Sequence, residues 1–298
     1  MRISSLGLVL LTCLATLSAG AKGLIGGPKT IAVGADGTVP GSVASTKMGF
    51  GYTKGATKVA VPLIAVAFET SAQATTSGSL STKSVALQLA VDDAVLRSIC
   101  AELQAMVEKD LAAQGFEILP PDSIDQEARW LGIAKDGKTG EDVKDNFMSG
   151  FMGNGSLNRW FTAGDRPLFG TGAQAALGET SALIRTARER KISLLFYRFK
   201  VQFTDLEGRN NLVFHYVKGK NVLHIVSADV AVFTPEHTNG GMIVLTENLT
   251  FGSDFVQDLQ GTKGSYKVIA DPQHYKADSL VLLQAVSKQF AQALRKAQ

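Results

Sequence analysis

The sequence predicts an α+β (mixed α/β) fold: a mixed, largely antiparallel sheet with helices packed on it. Three observations carry that reading. Apolar residues recur with a period of two along the last third of the chain. An amphipathic helix pattern stands on either side of that region. The connections between the late strands are short, which favours antiparallel neighbours.

The elements follow in order. Residues 22–57 are rich in Gly, Ser, Thr and Lys and read as an irregular leader. Val59 to Phe68 is a nearly continuous apolar run, the signature of a buried strand. A polar turn, Ser71 to Thr82, leads to Val85, Leu87, Leu89 and Val91, which alternate with small or polar residues and pair with the first run as a hairpin. Asp92 and Asp93 are placed to cap a helix whose stripe is Leu96, Cys100, Leu103, Val107 and Leu111. Gly115 supplies the left-handed stop. Phe116 to Leu119 is a short strand ended by Pro120-Pro121, and Ser123 with Gln126 opens a short helix through Trp130.

Residues 132–172 form an insertion in which Gly, Met, Phe and Asn accumulate without a clear period. Ala173 to Lys191 reads as a helix with Leu177, Leu183, Ile184 and Ala187 inward. Ser193 to Thr204, Leu212 to Val217, Val222 to Phe233 and Met242 to Phe251 read as strands, with a turn at Leu206-Glu207-Gly208-Arg209-Asn210. Asp271-Pro272 opens a closing helix with Leu280, Leu283, Phe290 and Leu294 on one face. Residues 58–298 are thus expected to form one α/β domain.

The beginning of the chain is an export signal by pattern. Arg2 precedes an apolar stretch from Ile3 to Leu17, and Ala19 and Ala21 stand at the small-residue positions of a cleavage site after Ala21. The expected location is the periplasm or the extracellular space. Cys13 is the one candidate for a lipid, but Thr12 before it suits lipid attachment poorly. Cys100 is then the lone cysteine of the mature chain, so an internal disulfide is not expected.

Charge excludes one class of partner. The chain carries 30 Lys and Arg against 27 Asp and Glu, net +3. That field is too weak for nucleic acid to be expected.

Motifs that resemble chemistry stand in the wrong surroundings. Gly132 to Thr139 matches the phosphate-loop spacing, but a polar segment precedes it where a buried strand is required. Gly170-Thr171-Gly172 precedes a helix without a βαβ unit around it. His215, His224, His237 and His274 do not fall at metal-ligand spacing. No nucleophile elbow is present. The expectation is a non-enzymatic protein with no catalytic residue, cofactor or metal. Arg185, Arg188, Arg190 and Lys191 read as cations complementing a helix carboxyl end.

The candidate contact residues lie in the insertion. Phe147, Met148, Phe151, Met152, Trp160 and Phe161 are large apolar groups among glycines. Glycine makes such a segment entropically expensive to order, so something must cover it: a partner or a membrane surface is the expected cover, and the protein's own core, with these residues folded under it, is the alternative.

The order of the run Val59 to Glu69, a helix ending Asp110-Leu111-Ala112-Ala113-Gln114-Gly115-Phe116, and then Glu117-Ile118-Leu119-Pro120 resembles amino-terminal α/β modules of bacterial envelope proteins. The TolB and curli-secretion-lipoprotein families are the examples. That resemblance covers about a third of the chain and implies an envelope setting and a fold, not an activity. Three functional classes therefore remain open: a binding or assembly module of the cell envelope, a periplasmic hydrolase with a site assembled by the fold, and an oligomeric pore-type secretion subunit. In the third, a homo-oligomer joins through the strands from Ser193 to Thr204 and from Val222 to Phe233.

Overall fold

In the computed structural model, the residues described are 29–47, 57–77, 82–120, 139–144, 156–166, 168, 185–210, 215–236, 241–252 and 254–298. Among the described residues thirteen strands form one curled sheet. In chain order they are β1 (Thr30–Ala32), β2 (Ala44–Lys47), β3 (Lys58–Ser77), β4 (Thr82–Ala90), β5 (Glu117–Leu119), β6 (Asp142–Lys144) and β7 (Ser156–Thr162). After them come β8 (Ser193–Asn210), β9 (His215–Phe233), β10 (Gly241–Leu245), β11 (Asn248–Phe251), β12 (Val256–Thr262) and β13 (Ser265–Ala270). The two long helices among the described residues are α1 (Asp93–Ala113) and α2 (Pro272–Lys296).

The main strand order is β1-β11-β9-β8-β3-β4-β13-β12. Most pairings are antiparallel, as expected; β1–β11, β3–β5, β3–β8 and β4–β13 are parallel. The sheet is therefore mixed, and it dominates the molecule more than two packed helices suggested.

Both helices lie on one face of the sheet, and each expected stripe is inside. Leu96, Cys100, Leu103, Val107 and Leu111 of α1 meet Leu280, Leu283, Phe290 and Leu294 of α2 in one core with Val66, Phe68, Tyr197, Phe199 and Ile225. The Phe199 and Phe290 rings stack at 6.3 Å. The α2 cap is as expected: Asp271 accepts from the backbone N–H groups of Gln273 and His274. The α1 cap is not. Asp92 makes no side-chain cap bond, and Asp93 turns to Arg159 instead. Gly115 does end α1 in the left-handed conformation, with φ 83°. The N–H of Phe116 reaches back to the carbonyl of Leu111 across it.

Several boundaries differ from the sequence reading. The leader is not irregular throughout, because β1 and β2 lie in it and Val33 and Val43 are core residues. The first apolar run continues through the expected polar turn to Ser77, where Ala72, Ala74 and Thr76 are buried on alternate positions. The turn placed at Leu206 to Asn210 is strand. Gly219 stands opposite Leu206, and a Cβ there would come within 2.6 Å of the Leu206 side chain. Glycine thus serves close cross-strand packing at that position rather than a turn. The two expected strands after it are one, β9. Conversely, Met242 to Phe251 divides into β10 and β11, which pair with separate stretches of β9. The helix expected over Ala173 to Lys191 is described over residues 185–190, and the helix from Ser123 to Trp130 lies outside the described residues.

Candidate functional site

The face of the sheet turned away from α1 and α2 carries the molecule's unusual chemistry. Strand alternation puts two kinds of residue there. At one end Leu63, Leu194, Phe196 and Phe233 form a small second core with Ala187 and Leu168. At the other end the same strands present Glu69, Asn158, Lys200 and His224, each less than a tenth exposed. Arg198 and Asp229, directly opposed on β8 and β9, close the band with a 2.8 Å ion pair.

Glu69 stands where the sheet divides. Strand β8 keeps register with β3 only as far as Phe68 and Val201, and β4 pairs with β3 from Ser71 onward. Register shifts gather at this fork, between Glu69 and Ser71, between Lys200 and Val201, and between Gln202 and Thr204. A strand that leaves its neighbour exposes backbone donors, and a buried unsatisfied donor is costly. The Glu69 carboxyl meets that need: it accepts from the Phe203 backbone N–H and, at 3.2 Å, from Gln202 Nε2.

Burial sets the electrostatics. It raises the Glu69 carboxyl from its ordinary range to about 8, against the opposing pull of Lys200. The same burial pushes the Lys200 ammonium down, with Glu69 pulling the other way. Burial and, next, Glu69 push the Tyr275 phenol up. Across β7, Asn158 is register-paired with Glu69. Glu69 Oε2 and Asn158 Oδ1 are both buried, and neither has a hydrogen-bond partner among the described residues. The arrangement can hold a proton at neutral pH. It is a buried band rather than a cleft: two shallow surface clefts lie elsewhere, one beside Ala105, Ala112 and Ile118, the other beside Lys83, Val217, Lys263 and Tyr266. Among the described residues no cluster of three or more His, Cys, Asp or Glu is placed to hold a metal.

Two of the six expected contact residues are described, and those two do not share a face. Phe147, Met148, Phe151 and Met152 lie outside the described residues. Trp160 and Phe161 belong to β7, a strand inside the insertion, and therefore point to opposite faces. Trp160 packs on the small second core. Phe161 is fully buried on the helix side, with its ring 6.3 Å from that of Phe68 and the Arg97 guanidinium 5.0 Å above it. The expectation that a partner or a membrane covers Phe161 is corrected: its cover is the protein's own core.

Of the phosphate-loop pattern only Thr139 is described. Arg185, Arg188, Arg190 and Lys191 are exposed, and Lys191 closes its helix at φ 53°. Cys100 is buried, as a small hydrophobe in the α1 stripe. His224 is buried and opposes Gln202, His215 opposes Asn210 in the same hairpin, and His274 is exposed beside Asp271. The sequence reading missed Glu69, Asn158 and Lys200. The available signal was the alternation in Phe196-Tyr197-Arg198-Phe199-Lys200-Val201, where charges interrupt a run on both sides of which apolar residues continue.

No family model, no curated protein and no solved structure matches this chain.

Proposed function

We propose that the protein is an exported, non-enzymatic assembly module of the bacterial cell envelope, released after Ala21 and engaging its partner by strand addition. One observation carries the reading. Strand β12 ends the sheet, and β13 is its only neighbour among the described residues. Every residue of β12 after Val256 is exposed, and Leu259 is 49% exposed. An edge of this kind offers unpaired backbone groups to an incoming strand. Asp258 guards it: its carboxylate accepts from the Leu259 N–H and from Gln260 Nε2, both at 2.8 Å.

The test has two parts. Amino-terminal sequencing of the exported protein should begin at Lys22; Met1 at the start, or a lipid on Cys13, overturns export. Crosslinking in the native envelope should join a defined partner to β12, more strongly in Asp258→Ala and not in Leu259→Pro. An unchanged adduct in a folded Leu259→Pro variant overturns strand addition.

A second reading, the oligomeric pore-type subunit, is favoured by the two ribbons beyond the fork. Residues Ser71–Ser77 pair with Thr82–Gln88, and Thr204–Asn210 pair with His215–Asn221. On the second ribbon the partly buried Leu206 and Val217 alternate with the exposed Asp205, Lys218 and Lys220, the period of strands that face two media. Ser193 to Thr204 and Val222 to Phe233, by contrast, sit largely within the two cores. Light scattering on the mature protein separates the readings: a closed ring of many copies favours the pore, and a monomer excludes it under those conditions. No helix among the described residues is long and apolar enough to cross a membrane.

A further inference from the structure

We propose that Glu69 is a two-position latch at the sheet fork, its hydroxyl donating a hydrogen bond to Asn158 Oδ1 of β7 when neutral and its carboxylate turning to Lys200 of β8 when ionised. The geometry carries this. Glu69 and Asn158 are register partners on the same sheet face, 3% and 4% exposed. Each ends in an oxygen that has no donor among the described residues. Two buried, unpartnered acceptors on register-paired residues are unfavourable, and one proton shared between them resolves both. A protonated Glu69 places its hydroxyl at Oε2, where it becomes the donor that Asn158 Oδ1 lacks. Its other oxygen remains the acceptor for Gln202.

The surrounding groups define the second position. From β8, Lys200 lies diagonally across from Glu69, and Gln202 and the Phe203 N–H both donate to the carboxyl. From β9, His224 stands beyond Gln202 on the same face. From α2, the Tyr275 phenol feels the carboxylate. When Glu69 releases its proton to solvent, the bond to Asn158 is lost and the new charge is drawn to Lys200. Burial holds the neutral form well into the neutral pH range, which is where an envelope protein meets changing acidity. The segment whose hold changes is β7, the strand that closes the Gly/Phe/Met insertion against β3 and β6.

Amide hydrogen exchange of the full mature chain tests the latch. Corrected for intrinsic rates, protection across residues 156–162 should fall on the order of tenfold between about pH 6 and about pH 9. In Glu69→Gln, whose amide mimics the neutral acid and can still donate to Asn158, protection should be independent of pH and the fold should keep its stability near pH 6. The alternative arrangement turns the Asn158 NH₂ toward an ionised carboxylate that is already paired with Lys200. It predicts flat protection in the wild type and a destabilised Glu69→Gln near pH 6, and either result overturns the latch. Should that variant fail to fold, carbon-13 titration of the Glu69 carboxyl in the wild type decides. A carboxyl neutral near pH 6 supports the proposal, and one already ionised there overturns it.

Discussion

The two faces of the sheet are built from the same strands, yet they are held in different ways. On the helix side the alternate residues of β3, β8 and β9 meet two long amphipathic helices, and one continuous apolar core runs from Val33 to Leu294. On the other side, among the described residues, the apolar part is the end of the sheet near Phe196 and Phe233. The remainder is a buried polar band from Asn158 to His224. Hydrophobic burial is non-directional and tolerates repacking, whereas buried polar groups demand particular partners. Stability is therefore expected to reside mainly on the helix side, and sensitivity to protons mainly on the other.

The largest effect should come from breaking the helix-side core. Phe290 is fully buried between Tyr197 and Phe199. Phe290→Ala should cost about 3–5 kcal/mol, read from urea unfolding. Phe196 packs edge-on to Phe233 at 5.6 Å in the smaller cluster. Phe196→Ala should cost less, about 2–3 kcal/mol, because fewer apolar neighbours surround it. Equal costs would dissolve the distinction between the faces.

Titration sharpens the comparison next, since each face buries an acid among the described residues. On the helix side Asp110 of α1 accepts from the Ser287 hydroxyl of α2 at 2.7 Å, and burial raises its carboxyl. Glu69 is its counterpart on the other face. In both cases the folded protein keeps a proton that the unfolded chain has released, so stability falls as pH rises through the window between the two values. For Glu69 that window runs from 4.5 to about 8. For Asp110 it opens at 3.8. Lys200 acts in reverse at alkaline pH: its lowered value restores stability as pH approaches 10.5. Urea midpoints against pH should show a fall on the order of a few kcal/mol across the Glu69 window. Glu69→Gln should remove that fall, and Asp110→Asn should remove only the part that begins at lower pH. A wild-type profile flat from about pH 5 to about pH 8 would leave Glu69 without its proposed proton.

The helix-side core was legible in the sequence because it rests on repetition. Leu96, Cys100, Leu103, Val107 and Leu111 recur at helical spacing, and each occupies the interior. The polar band was not legible, because Glu69, Asn158 and Lys200 are 42 or more residues apart and meet only through the pairing of β7, β3 and β8. Local pattern also failed where glycine was taken for a turn. Gly208, placed in the turn from Leu206 to Asn210, lies inside β8, and nothing local separates a glycine within a strand from one at a bend. The insertion was misread for a related reason: Ser156 to Thr162 has one aromatic on each side, the buried Phe161 and the partly buried Trp160, so no single-faced alternation announces the strand.

The smallest effects should come from the ion pairs, one on each face. On the helix side Arg159 of β7 donates to Asp142 of β6 at 2.9 Å and to Asp93 of α1 at 2.6 Å. Thr70 of β3 adds a further bond to Asp142 at 2.9 Å. Burial alone would raise the Asp142 carboxyl, but the bonds from Arg159 and Thr70 outweigh it and hold the group below its ordinary range. On the other face Arg198 gives two donors to one oxygen of Asp229, at 3.1 and 2.8 Å, within a single hairpin. Partly exposed pairs contribute little, and networks contribute more than isolated pairs. Arg159→Ala should therefore cost about 1–2 kcal/mol and Arg198→Ala about 0.5–1 kcal/mol in urea unfolding. The reason for the order is connectivity. Arg159 ties the start of α1 to two strands of the insertion, whereas Arg198 joins strands already held by fifteen further register pairs on either side of the fork. A double-mutant cycle of Arg159 with Asp142 should show positive coupling that survives moderate salt, while the Arg198–Asp229 cycle should weaken more. The reverse order would mean that the polar face, not the helix face, carries the tighter tertiary bonds.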